Sequence, residues 1–122
     1  WIMLGTNDLL QERQFTAEDT AQRMEDFLKK IMAEPAVSDG KITLRLIAPA
    51  RMEYGAWVDE ERLYLESRRL GEEYRKVAER MEIEFTDAGK WEIPVVYDGV
   101  HFSEKGHHIF AQKIQEELAW LR

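Results

Sequence analysis

The sequence is 122 residues long, 44% hydrophobic and 34% charged, the length and balance of one soluble globular domain. Its net charge of −7 argues against a phosphate-backbone partner, because the basic residues are interspersed with acids, as in Arg68-Arg69 followed by Glu72-Glu73. The absence of cysteine excludes disulfides and thiolate chemistry, and no apolar run approaches the ~18 residues of a membrane span.

The chain opens inside an apolar stretch. Trp1 to Leu4 reads as the end of a buried strand, stopped by the turn formers Gly5-Thr6-Asn7-Asp8. This opening is too short and lacks the basic flank of a signal peptide, and a cytoplasmic setting is expected, although lack of cysteine does not by itself exclude export. Thr16 has the character of a helix N-cap, with Asp19 three residues on completing a capping box. Ala21, Met24, Leu28 and Ile31 then recur at helical spacing, with Phe27 and Met32 beside them, until Pro35 and Ser38-Asp39-Gly40 end the helix. Lys41 to Ala48 is rich in β-formers and is closed by Pro49. A loop through Gly55 leads to a long charged helix from about Asp59 to Met81, with Leu63, Leu70, Tyr74, Val77 and Met81 on its apolar face. Ile83 to Ala88 is a short third strand, and Gly89 to Val100 reads as a loop. Ser103 can cap a last helix from about Glu104 to Leu121, with Ile109, Phe110, Ile114, Leu118 and Trp120 available for packing.

Strands alternating with helices imply parallel crossovers and an α/β sheet covered on both faces. Three strands are few for that architecture, so residues 1–122 are expected to be a single partial domain lacking its N-terminal third. In such sheets the sites form at the carboxyl ends of the strands. Two polar segments fall there: Gly5 to Asp8 after the opening strand, and Asp98-Gly99-Val100-His101 before the last helix. A carboxylate three residues before a histidine can accept a hydrogen bond from imidazole Nδ1–H, which fixes the tautomer and leaves Nε2 free to take a proton from a nucleophile. The Asn7 amide can donate to a developing oxyanion, an interaction worth ~3 kcal/mol. Each motif also has a plain structural reading, as an Asx turn, a helix cap or a surface turn. Their order and their placement at strand ends favour the chemical reading.

The segment IMLGTNDL resembles the third conserved block of the SGNH/GDSL serine hydrolases, and DGVHFSEKGHHIFAQKI resembles the fifth. FTDAG with its following loop is similar to the arylesterase and acyltransferase branch, and the likeness spans essentially the whole chain. The resemblance implies a three-layer α/β/α sandwich of flavodoxin-like type, represented by its last three strands. It implies hydrolysis of a small-molecule carboxylic ester through an acyl-serine intermediate, with no metal or organic cofactor. Asn7 would be the side-chain oxyanion donor, His101 the general base and then acid, and Asp98 its orienting partner; Gly5 and Asp8 would hold the turn. The family's Gly-Asp-Ser nucleophile block has no counterpart. Ser38 lies in a turn, Ser67 in a charged helix and Ser103 at a helix cap, and the block II glycine is absent too. These 122 residues are therefore expected to be inactive alone, with an exposed Trp1–Leu4 edge open to self-association or to a separate N-terminal piece. The rival expectation is a non-catalytic binding or assembly module on the same scaffold. Tyr54 and Trp57 suit either a pocket wall or plain loop packing, Trp91 has no assigned role, and His107 and His108 are expected to face solvent or pack the helix.

Overall fold

The computed structural model describes residues 1–120. Its helices are α1 (Thr6–Gln11), α2 (Ala17–Met32), α3 (Pro35–Ser38), α4 (Glu61–Met81) and α5 (Glu104–Trp120); its strands are β1 (Arg45–Ala48) and β2 (Glu84–Asp87), with a 3-10 turn at Ala88–Lys90. The expected end of the last helix at Leu121 lies outside the described residues, as does the side chain of Trp120.

The helix α2 starts where its capping box closes. The Thr16 hydroxyl accepts from the Asp19 N–H at 3.1 Å, and the Asp19 carboxylate accepts from the Thr16 N–H at 3.0 Å. Such a cap contributes about 1 kcal/mol. Its buried face of Ala17, Thr20, Ala21, Met24 and Leu28 packs against α4. In α4 the buried positions are Leu63, Ser67, Leu70, Tyr74, Val77 and Ala78, while Met81 is half-buried. The periodicity anticipates the apolar members; Ser67 continues the same stripe as a buried polar residue. Burying each of the larger apolar side chains contributes roughly 1.5–3 kcal/mol.

The sheet is smaller than the sequence suggests. β1 pairs with β2 in parallel, Leu46 opposite Phe85 and Ile47 opposite Thr86. The expected opening strand is present only as a parallel bridge: the Ile2 N–H donates to Arg45 O at 2.9 Å and the Ile47 N–H to Ile2 O at 2.8 Å. The expected strand over Lys41 to Ala48 shortens to four residues, because β2 begins opposite Arg45 and leaves Lys41 to Thr43 exposed and without a paired strand. Leu46, Ala48 and Phe85 face the core formed with α4. Alternation puts Arg45 and Thr86 on the opposite face, where Glu117 of α5 meets Thr86 at 3.3 Å and Arg45 at 3.7 Å. Helices on both faces of a parallel sheet make this an α/β fold of three layers.

The reading of Gly5 to Asp8 as a turn needs correction: only Gly5 turns, and Thr6 to Asp8 form the first turn of α1. Gly5 adopts φ +133°, open to glycine alone at little cost, and a Cβ there would lie 2.1 Å from the Tyr74 hydroxyl. That hydroxyl donates to the Leu4 carbonyl at 2.7 Å. Burial, with the Asp8 carboxylate adding to it, pushes the phenol well above its ordinary range, so Tyr74 is a neutral donor. Tyr74→Phe, which leaves the Leu4 carbonyl unpaired, is expected to cost about 1–3 kcal/mol, read as a lower urea midpoint at unchanged slope.

Candidate active site

Three connections leave the carboxyl ends of the parallel segments, and each carries part of the candidate site. The first runs from Ile2 into α1, the second from β1 to α4, and the third from β2 to α5. Parallel direction places all three on one rim of the sheet.

The third connection folds back on itself. Val95 bridges Phe102, the Val96 N–H donates to His101 O at 2.8 Å, and the Ser103 N–H donates to Pro94 O at 3.0 Å. At its tip, Asp98 is 4% exposed while the His101 side chain is 60% exposed. Asp98 Oδ1 accepts from the N–H groups of Val100 at 2.7 Å and His101 at 2.9 Å, and Oδ2 lies 2.5 Å from His101 Nδ1. Burial presses the Asp98 carboxyl upward. The two N–H donors and the imidazole more than offset it, and the group sits below the ordinary aspartate range. An ionised carboxylate only accepts, so Nδ1 carries the proton, and in the neutral imidazole Nε2 is the acceptor.

Gly99, at φ +83°, is fixed in the same turn by close approach: a Cβ there would stand 2.0 Å from Glu53 O. This brings in the second connection. The Glu53 N–H donates to Gly99 O, Ala56 to Tyr97 O and Trp57 to Asp98 O, at 2.9, 3.0 and 3.0 Å. The Trp57 ring meets the His101 imidazole edge-on at 5.0 Å and 81°. Of the two readings open to Trp57 in the sequence, the structure adds a contact with the histidine. Tyr54 instead stacks on Tyr64 of α4 at 4.6 Å.

Asn7 occupies the first turn of α1, exposed, with no side-chain hydrogen bond among the described residues. It lines a shallow concavity of about 260 Å³ with Met3, Leu4 and Pro49, the residue that follows β1. Asp98 and His101 are thus joined directly, whereas no hydrogen bond links either to Asn7. Gly5 makes the turn into α1, and Asp8 pairs with Arg23 of α2 at 3.3 Å. Ser38 and Ser103 bond locally to the Pro35 and Pro94 carbonyls, and Ser67 is buried against Met52. His107 and His108 are exposed, and Trp91 packs on Phe110 of α5. The clamp between residues 53–57 and 97–99 has little trace in the sequence, since backbone bonds leave no side-chain signature; Gly55 and Gly99 are its marks, because a Cβ would lie 2.6 Å from Tyr97 O at the first and 2.0 Å from Glu53 O at the second.

The family model described as GDSL-like lipase/acylhydrolase matches residues 1–114. Among solved structures, the chain is similar to Est24, a carbohydrate acetylesterase from Sinorhizobium meliloti, with 22% identity and a TM-score of 0.82. It is similar also to the aryl esterase of M. smegmatis, with 22% identity and a TM-score of 0.83. In both cases 99% of this chain is covered and 60% of the other, so the chain spans about 60% of the length of these structures. None of the curated proteins matches in sequence.

Proposed function

Since the chain belongs to the GDSL-like lipase/acylhydrolase family, we propose that it supplies the base, its orienting carboxylate and one oxyanion donor of a carboxylic ester hydrolase. The observation that carries this reading is the Asp98–His101 pair, with a buried ionised carboxylate on Nδ1 and an exposed imidazole. The substrate in this reading is a carboxylic ester, in keeping with the names of the structurally similar carbohydrate acetylesterase and aryl esterase.

In this reading a serine hydroxyl from outside these 122 residues gives its proton to His101 Nε2 as its oxygen attacks the ester carbonyl. Asp98 steadies the imidazolium that forms. The Asn7 amide donates to the oxyanion of the tetrahedral intermediate, worth about 3 kcal/mol where such a donor is removed. On collapse the imidazolium returns the proton to the leaving alcohol, and water, activated by the same Nε2, then releases the acid.

None of Ser38, Ser67 and Ser103 is near the Asp98–His101 pair by hydrogen bonding, so residues 1–122 alone are expected to show no turnover of p-nitrophenyl acetate above a His101→Ala control. A longer protein that includes a Gly-Asp-Ser segment is expected to show an acyl-enzyme burst that His101→Ala abolishes. A His101-dependent burst from residues 1–122 would overturn the division of labour. Absence of His101-dependent turnover in the longer, folded protein would overturn the esterase reading itself.

A further inference from the structure

Resting on the reading of His101 as the base, we propose that Trp57 is a positioning residue for its imidazole, held in register by a clamp that starts at Ser67 and Arg68 of α4. His101 needs such help. Its side chain is 60% exposed and, among the described residues, hydrogen-bonded at Nδ1 alone, and a single hydrogen bond, even to a charged group, is worth only about 1.5–3 kcal/mol. A perpendicular aromatic contact at 5.0 Å and 81° restricts rotations of the ring that would carry Nδ1 away from Asp98.

Trp57 is itself half exposed, so its own placement has to be explained. Its backbone N–H donates to the carbonyl of Asp98, so the indole and the carboxylate that orients His101 are registered through one backbone bond. The Met52–Val58 segment is in turn fixed to α4. The Met52 N–H donates to the Ser67 hydroxyl at 3.0 Å, and Arg68 Nη1 donates to Met52 O at 2.7 Å. Arg68 Nη2 reaches Glu53 at 2.9 Å. The guanidinium lies 3.4 Å over the Tyr64 ring, on which Tyr54 stacks. Tyr64, Ser67 and Arg68 are three and four residues apart, hence on one helix face. A surface arginine needs only a carboxylate; Arg68 also donates to two backbone carbonyls, of Met52 and Tyr64, and this suits fixing a loop.

The test uses residues 1–122 with 15N-labelled histidine, reading from long-range 1H–15N spectra which ring nitrogen of neutral His101 carries the proton. Wild type is expected to be Nδ1–H. Trp57→Ala is expected to lower the Nδ1–H to Nε2–H ratio at His101 at least about threefold, one factor of RT or slightly more, with His107 and His108 unchanged. Trp57→Phe is expected to restore most of it. Arg68→Lys, which cannot both stack and fork, is expected to act like Trp57→Ala in a milder form. A folded Trp57→Ala variant with the wild-type ratio would overturn the proposal; were that variant unfolded, a wild-type ratio in Arg68→Lys would do so. Asp98→Asn separates the two levels of inference. If it leaves the ratio unchanged, the Asp–His pairing and the esterase reading fail together. If it shifts the ratio and Trp57→Ala does not, only the role of Trp57 fails.

Discussion

In the ester hydrolase proposed above, Asp98→Asn is expected to lower kcat of the longer protein by about four orders of magnitude, with KM little changed, although the side chain keeps its size and its place. The reason lies in how the two carboxylate oxygens are used. Oδ1 accepts from two backbone N–H groups, at 2.7 and 2.9 Å, while Oδ2 faces the imidazole. An asparagine must keep its carbonyl oxygen toward the two N–H donors, so its amide NH₂ faces His101 Nδ1. A donor there forces the proton onto Nε2, and the nitrogen that should receive the serine proton is already occupied. Turnover of p-nitrophenyl acetate by the longer protein measures this. A loss of less than about tenfold would mean that the carboxylate does not select the tautomer.

The same carboxylate gives the fold a signature in acid. Its native pKa is depressed, so its contribution to stability is complete above the ordinary aspartate range, where both folded and unfolded chains are ionised. As pH falls, the unfolded chain binds its proton first, and the contribution is lost as pH drops through the lower native value. Wild type is therefore expected to lose more stability between pH 5 and pH 3 than Asp98→Asn, compared by urea midpoints. Parallel pH profiles for the two proteins would contradict this.

The parts of this molecule that could be read from sequence share one property: their partners are close along the chain. The capping box of Thr16 and Asp19 and the Asp98–His101 pair each span three residues, so residue type and spacing specify the contact. The long helices were legible for a related reason, since many periodic positions average out local noise. α1 escaped notice because six residues give no periodicity, and among them Leu9 alone is buried. Pairing across the sheet was legible in direction and blurred in extent. A strand ends where its neighbour ends, and the start of β2 opposite Arg45 is not written in the residues of β1. Least legible were contacts made by backbone groups or by polar residues in apolar surroundings. Arg45 lies inside a run of β-formers yet is buried, bonding the Thr86 hydroxyl at 2.8 Å and the Phe85 carbonyl at 3.3 Å. Ser67 and the 53–57 segment belong to the same class, and they carry the support of the candidate site.

Gly5→Ala is expected to destabilise the fold by about 3–5 kcal/mol, a large part of the 5–15 kcal/mol that holds a typical domain together. Two separate costs combine. Backbone at φ +133° is strained for any side chain, at about 1–3 kcal/mol. The new methyl would also sit 2.1 Å from the Tyr74 hydroxyl, and the hydroxyl cannot yield without giving up Leu4 O, its partner at 2.7 Å. Tyr74 is wholly buried, so its ring has nowhere to withdraw. The two costs can be told apart. In Gly5→Ala/Tyr74→Phe the closest remaining ring atom would be 3.2 Å from the methyl, tight but bearable, so the double variant should lose clearly less than the sum of the single losses. A coupling of about 1 kcal/mol or more in that direction, from urea midpoints, assigns the clash to the hydroxyl. Strict additivity would assign the whole cost to the backbone and would show that Tyr74 does not constrain the turn carrying Asn7.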